Sequence, residues 1–184
     1  FLALNRAKEA LDFFKQAYDQ SPTADVALNL SSAHLQLGQP RAARRVLRPY
    51  LDDGTYLKRE RIFHNIGLSY KKQKKYRLAA RYFNKALSVY PSYYLSNLQL
   101  GIMYKELRRS KPALKYLRKA QRTCRVCYQP VRELFILYRQ NKKLAQAWKL
   151  VQSYAKTKEV TQANRARASR LLALSQRSDL TVRK

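Results

Sequence analysis

An internal repeat of about 34 residues constrains the fold of this chain more than any other feature. Stretches such as NIGLSYKKQKKYRLAARYFNKAL and NLQLGIMYKELRRSKPALKYLRKA share one apolar frame, and one alanine recurs at spacings of 33, 36, 34 and 34 residues. A period of this length indicates supersecondary units that cannot bury their apolar faces alone and must stack on one another. The recurrent alanines are Ala10, Ala43, Ala79, Ala113 and Ala147.

The repeat resembles the tetratricopeptide repeat (TPR), whose signature is an aromatic residue, Leu-Gly, Tyr, Ala, an aromatic residue, Ala and Pro at set positions. Residues 60–93 match this signature almost completely, 94–127 keep most of it, and 24–59 and 128–160 keep less. In the last of these repeats Phe135 replaces the small residue that lets paired helices approach closely, so we expect looser or shifted packing there. The matching residues of the best repeat are Phe63, Ile66, Gly67, Tyr70, Ala79, Phe83, Ala86 and Pro91.

The resemblance implies an all-α fold, a right-handed TPR solenoid of about four and a half repeats with a C-terminal capping helix. Residues 1–23 supply the second helix of a repeat whose first helix is largely missing, and residues 161–178 form the cap, with Thr161 as its N-cap residue. We therefore predict that residues 1–184 form one solenoid.

The first helices of TPR solenoids line a concave groove, at the second, fifth, sixth, ninth, twelfth and thirteenth positions of each repeat. The side chains that the resemblance carries onto these positions are apolar, basic and amide groups, which suit a protein or peptide segment with apolar anchors and some acidic character. The TPR subclass that clamps C-terminal carboxylates is matched at one of its five positions, Asn65, so a chaperone-tail clamp is not expected. The predicted groove residues are Leu28, Asn29, Ser32, Leu35, Arg61, His64, Asn65, Leu68, Lys71, Lys72, Leu95, Leu98, Gln99, Ile102, Lys105, Arg132, Ile136 and Arg139.

The positive charge is large and unevenly distributed. The formal net charge is +28, of which residues 1–60 carry +2 and residues 61–184 carry +26. Such a field attracts polyanions and opposes self-association, so we expect a monomer, with an acidic protein, an anionic membrane surface or nucleic acid as further partners. Nucleic acid is the weaker of these predictions, because the repeat core accounts for many of the fourteen tyrosines. Most of the charge lies on second helices and turns, including Arg41, Arg44, Arg45, Arg48, Lys74, Lys75, Arg77, Arg81, Lys85, Arg108, Arg109, Lys111, Lys115, Arg118, Lys119 and Arg122.

Signals of catalysis are weak in this sequence. The two histidines, His34 and His64, lie within repeat helices, the eleven carboxylates form no evident pair, and there is no phosphate-binding glycine loop. We therefore predict no catalytic residue, no cofactor and no metal site. No stretch approaches the roughly 18 apolar residues of a membrane-spanning helix.

Both cysteines, Cys124 and Cys127, fall in the turn between the third and fourth repeats. Haem attachment needs a histidine after the second cysteine, structural zinc needs about four ligands, and a thioredoxin-like pair needs a βαβ context, none of which this sequence offers. A local disulfide or two free thiols remain. A disulfide would persist outside the reducing cytosol and favours an exported protein, whereas free thiols, acidified by Arg122 and Arg125, would fit the cytoplasm.

The block ALSVYPSYYLSNLQLGIMYKELRRSKPALKYLRKAQRTCRVCYQPVRELFILYRQ resembles the bacterial type IV pilus biogenesis TPR lipoproteins, the pilotins that help the outer-membrane secretin assemble. This second resemblance implies a periplasm-facing, outer-membrane-associated lipoprotein whose groove binds a segment of a secretin subunit. Two alternatives stay open, a basic TPR protein that binds RNA or another polyanion, and an intracellular scaffold for an acidic partner.

Overall fold

The computed structural model describes residues 2–182, with side chains described from residue 5 to residue 173, and this part contains α-helices and no strand. The all-α prediction is confirmed. Within these residues ten α-helices follow one another, in agreement with the helical period of the sequence. Their connections are short except the one between Leu47 and Arg59, which begins with the 3-10 helix Arg48–Tyr50. Their bounds are α1 Leu2–Gln20, α2 Ala24–Gln36, α3 Pro40–Leu47, α4 Arg59–Lys72, α5 Tyr76–Val89, α6 Tyr94–Glu106, α7 Ser110–Thr123, α8 Tyr128–Gln140, α9 Leu144–Ala155 and α10 Gln162–Val182.

The chain divides into two compact units, Phe1–Ser96 and Asn97–Lys184, and the division falls within α6. In the first unit α1 packs on α2, α2 on α3, and α4 on α3 and α5. In the second unit α7 packs on α8, and α9 and α10 pack on α8 and on each other. Apart from α4, which begins one residue early, the helix pairs lie within the predicted repeat ranges, while the single solenoid over residues 1–184 stays a prediction.

The first helix of each of the four repeats ends in the same way. A residue with positive φ follows the helix, and the next residue donates its backbone N–H to the carbonyl oxygen five residues earlier, as in a Schellman motif. These N–H···O distances are 2.8 to 3.0 Å. Three of the four residues are lysine or arginine, and only Gly38 adopts this conformation without a steric penalty from Cβ. The four residues and their φ values are Gly38 at 72°, Lys74 at 57°, Arg108 at 56° and Lys142 at 57°.

Within a repeat, a small residue of the first helix faces a large apolar residue sixteen positions later. An ideal Cβ on Gly101 would lie 2.5 Å from a side-chain carbon of Leu117, so α6 and α7 can approach only because residue 101 has no side chain. The order of sizes is reversed in the α8 and α9 repeat, where Phe135 takes the small position and Val151 the large one, and both are buried. Phe135 is therefore a core residue.

Threonine side chains cap two helices. The Thr23 hydroxyl accepts the backbone N–H of Val26 at the start of α2, at 3.4 Å. Thr161 accepts the backbone N–H of Asn164 at 3.3 Å, immediately before α10, and this confirms Thr161 as the N-cap residue.

Candidate functional site

The first-helix face of the first unit, formed by α2 and α4, presents polar groups beside apolar ones. Asn29 on α2 is exposed, and Leu68 on α4 is half-buried. The Asn65 side-chain amide donates to Ser32 Oγ at 3.1 Å and to the Leu28 carbonyl oxygen at 3.4 Å. These bonds tie α4 to α2 and fix the amide on this face. Ser32 and Asn65, which are both predicted groove residues, are therefore in direct contact.

Four of the predicted groove residues, Leu28, Leu35, His64 and Leu98, are buried, with 1 to 5 % of their surface exposed. They are core residues, because the apolar stripe of each first helix is used for packing against neighbouring helices. This corrects their assignment to an accessible partner surface. For the other predicted groove residues the partner contact stays a prediction: Asn29, Lys72, Arg132 and Arg139 are exposed, and Ser32, Arg61, Asn65, Leu68, Lys71, Leu95, Gln99, Ile102, Lys105 and Ile136 are half-buried.

The buried His64 is a structural residue. Its Nδ1 lies 2.9 Å from Ser96 Oγ, and its ring packs against those of Phe83 and Tyr93, with centroids 5.5 and 5.4 Å away. Burial lowers the pKa of His64 to about 3, so the imidazole is neutral in the folded protein at physiological pH.

Several basic groups of the first-helix faces are paired with carboxylates. Arg61 Nη1 lies 3.2 Å from Asp25 Oδ1. In the second unit the buried Glu133 accepts from Lys105 Nζ and, at 3.1 Å, from Arg132 Nη1. The positive charge of these faces is thus partly neutralised, which the count of charges in the sequence does not reveal.

A second candidate site lies on α3, α4 and α5 of the first unit, and none of the residues that line it is a predicted groove residue. It is a recess of about 370 Å³, which we call the arginine pocket. Three of its arginines are exposed, whereas its apolar residues are half-buried or buried, so guanidinium groups form the rim and apolar groups the floor. The pocket is lined by Arg41, Arg44, Arg45, Arg48, Leu51, Ile66, Tyr70 and Tyr82.

One arginine of the pocket is held in place by neighbouring side chains. The Arg44 guanidinium lies 4.4 Å from the ring centroid of Tyr70 and donates through Nη1 to Ser69 Oγ. The Ser69 hydroxyl in turn donates to the Pro40 carbonyl oxygen at 2.9 Å, so its own proton is used. The ring of Tyr70 stacks on that of Tyr82, with centroids 5.4 Å apart and planes at 22°. This arrangement fixes the guanidinium before any ligand arrives.

The sequence analysis treats these arginines only as surface charge and does not predict the pocket. Arg41, Arg44, Arg45 and Arg48 follow one another at i, i+3, i+4 and i+7, which places all four on one face of a helix. That spacing was the available signal. The apolar floor comes from two other helices and cannot be read from the spacing.

Cys124 and Cys127 form a disulfide across the turn between α7 and α8, with their Cα atoms 5.4 Å apart. The Tyr154 hydroxyl of α9 donates to the Val126 carbonyl oxygen within the same turn, at 2.8 Å. The two cysteines therefore form a local structural disulfide, which is the first of the two predicted alternatives.

Within the part of the chain that the structure describes, no cluster of three or more His, Cys, Asp or Glu side chains could hold a metal ion. Over the same part, no helix has the length and apolar character needed to cross a membrane.

Two family profiles, both described as tetratricopeptide repeat, match this chain at residues 1–55 and 61–93. A comparison with curated protein sequences finds no significant match.

Three solved structures illustrate the similarity in fold. TTC0263, a thermophilic TPR protein of Thermus thermophilus, is 21 % identical with a TM-score of 0.73, over 94 % of this chain and 93 % of that one. PilW, described as a widely conserved type IV pilus biogenesis factor, is 18 % identical with a TM-score of 0.71, over 86 % of this chain and 73 % of that one. MamA is 14 % identical with a TM-score of 0.64, over 80 % of this chain and 86 % of that one. With helix pairs, repeat frame and profile matches in agreement, residues 1–55 and 61–93 are tetratricopeptide repeats, and the chain has the fold of TPR proteins, which is the architecture of a protein-interaction scaffold.

Proposed function

We propose that this chain is a non-enzymatic scaffold that holds a segment of a partner protein on its first-helix face during type IV pilus assembly. The partner is a secretin subunit, and the chain acts as a pilotin-type lipoprotein associated with the outer membrane and facing the periplasm. The similarity in fold to PilW supports this role, together with the pilotin resemblance of the block that contains both cysteines.

One observation carries the binding part of the proposal, the fixed amide of Asn65 between α2 and α4. An amide held by two hydrogen bonds loses little conformational entropy when a ligand binds. Leu68, three residues later in α4, is half-buried, and Asn29, next to Leu28 in α2, is exposed. Amide groups can bond the backbone of an extended segment while Leu68 contacts an apolar side chain.

The disulfide supports the proposed compartment. A Cys124–Cys127 bridge persists in an oxidising environment such as the periplasm, whereas cytosolic reductants keep such pairs reduced. Alkylation of intact cells before lysis, followed by mass spectrometry, tests this part. Recovery of both cysteines as disulfide agrees with a periplasmic location, and recovery of both as alkylated thiols contradicts it.

The binding part is tested with the purified chain and a purified secretin subunit. Asn29→Glu introduces a charge on the first-helix face, and we expect it to weaken binding in fluorescence anisotropy by about tenfold. Asn84→Glu makes the same change at an exposed position of α5 and serves as the matched control.

In cells, the same Asn29→Glu change should reduce the yield of assembled secretin multimers, and Asn84→Glu should not. Equal binding by both variants, or no binding of the secretin subunit by the unmodified chain, contradicts the proposal.

A further inference from the structure

We propose that the arginine pocket is a second binding site, for an acidic polypeptide segment that inserts one apolar side chain between flanking carboxylates. The site lies on α3, α4 and α5, and the proposed secretin site on the first-helix face takes no part in it. The two proposals can therefore fail independently.

The rim of the pocket is an uncompensated set of guanidinium groups. The side chains of Arg41, Arg45 and Arg48 form no hydrogen bond or ion pair with any described residue, and the Arg44 side chain donates a hydrogen bond only to a neutral hydroxyl. None of the residues that line the pocket is acidic. Guanidinium groups bind carboxylates with planar, bidentate geometry, so this rim is suited to a segment with several acidic side chains.

The spacing of these arginines destabilises the free protein. Like charges at i, i+3 and i+4 repel one another on a helix, and Ala43 and Leu47 on the opposite side are fully buried, so α3 cannot rotate to spread its charges. The position of Arg44 and Arg45 in the last turn of α3 offsets part of this repulsion through the helix dipole. An acidic ligand would neutralise the remaining repulsion between these guanidinium groups.

The apolar floor of the pocket determines which kind of side chain the ligand carries between its carboxylates. Ile66 is 2 % exposed, and Leu51 and the two tyrosine rings are half-buried, so the recess offers apolar contact below the guanidinium groups. A recess of about 370 Å³ is at the lower end of the usual range for ligand pockets and accommodates one large side chain. An apolar anchor with acidic neighbours fits both the floor and the rim.

Two other polyanions fit the pocket less well. Single-stranded nucleic acid is held by stacking bases on aromatic faces, but Tyr70 already has Arg44 near its ring and Tyr82 stacked on it, and Lys85 Nζ lies 5.4 Å from the Tyr82 centroid. An anionic membrane offers a flat surface, which cannot fill a recess. The concave shape and the covered rings favour a peptide side chain.

The test measures binding of a fluorescein-labelled peptide in which one phenylalanine is flanked on both sides by glutamates, at physiological ionic strength. A matched peptide has glycine in place of the phenylalanine. We expect the unmodified chain to bind the phenylalanine peptide more tightly, because only this peptide reaches the apolar floor.

Arg41→Gln combined with Arg45→Gln should weaken binding of the phenylalanine peptide by about tenfold, since two guanidinium–carboxylate pairs at the site are lost. The control combines Lys111→Gln with Lys115→Gln, which removes the same charge at the same i, i+4 spacing on exposed positions of α7. Binding by the control should stay within about twofold of the unmodified chain, because distant exposed charges are screened by salt.

The same pocket variant should melt at the same temperature as the unmodified chain or above it, because repulsion along α3 is reduced. Loss of binding together with retained stability supports a ligand site. Equal weakening in the pocket variant and the control, or equal binding of the two peptides, overturns the proposal. A larger effect of the pocket variant on an oligouridylate, or on phosphatidylglycerol vesicles, than on the phenylalanine peptide also overturns it.

Discussion

Gly67 and Phe83 lie so close together that residue 67 has no room for a side chain. A Cβ atom on Gly67 would lie 2.6 Å from two ring carbons of Phe83, and the ring is fully buried. Carbon atoms do not approach so closely, so α4 or the ring would have to move. The closeness of α4 and α5, on which the arginine pocket also depends, therefore rests on a glycine.

Gly67→Ala is expected to destabilise the protein by about 1 kcal/mol. Overpacking a rigid ring costs roughly 1 to 3 kcal/mol, while alanine regains up to about 1 kcal/mol of helix propensity. Chemical denaturation measures the change in the free energy of unfolding. Gly54→Ala is the control, because nothing lies within 4 Å of a Cβ at that position, and it should be nearly neutral. Equal stability of the two variants would contradict the packing argument.

His64 makes stability depend on pH. Burial lowers its pKa to about 3 in the folded protein, whereas in the unfolded chain its pKa stays near the ordinary value of 6.5. The unfolded state therefore binds the proton first as the pH falls, so the contribution of neutral His64 is complete above pH 6.5 and is lost progressively towards pH 3.

A variant separates the effect of His64 on the pH dependence of stability from that of the carboxylates. His64→Phe should be less stable than the unmodified chain at neutral pH, because Ser96 loses its partner, and its stability should fall less steeply with acidification. The free energy of unfolding is measured from pH 7 to pH 5. An unchanged slope in His64→Phe would argue against a buried neutral imidazole.

Glu133 is expected to be a critical charge of the second unit. Its side chain is 6 % exposed and pairs with Lys105, whose side chain is 15 % exposed, so Glu133→Gln leaves a largely buried ammonium without its carboxylate. We expect a loss of about 3 kcal/mol in the free energy of unfolding. Arg61→Gln disrupts the Asp25 pair, in which both side chains are more than a third exposed, and should cost at most about 1 kcal/mol.

The double variant Lys105→Met with Glu133→Leu provides the decisive comparison. It removes both charges and fills similar volume with apolar atoms, so it should be more stable than Glu133→Gln alone. If the double variant is the less stable of the two, the Lys105–Glu133 ion pair stabilises the fold by more than an unpaired buried Lys105 destabilises it.

The disulfide should stabilise the protein modestly. Cys124 and Cys127 are three residues apart, and closing so short a loop contributes about 2 kcal/mol on the chain-entropy argument. Adding a reductant, or replacing both cysteines by serine, should lower the melting temperature by a few degrees without unfolding the chain. Complete unfolding on reduction would show that the turn between α7 and α8 holds far more of the fold than its loop length indicates.

Much of this protein follows from its sequence because the relevant information is local. The helix pairs, their order and the Thr161 cap arise from apolar periodicity and capping chemistry within a few residues. Residue size at fixed repeat positions also identifies Gly67 as a position at which two paired helices approach closely. The bridge between Cys124 and Cys127 remained one of two alternatives, because oxidation is not encoded in spacing.

The tertiary structure alone decided which charges are neutralised and which remain free. Lys105 and Glu133 are 28 positions apart in the chain, and nothing local pairs them. Leu28 and Leu98 are suitable groove residues by position, yet helix packing buries them. The arginine pocket likewise combines the charged face of α3 with a floor from α4 and α5. Side-chain direction and helix packing are non-local, so composition gives the size of the positive charge, and only the fold determines where it is available for binding.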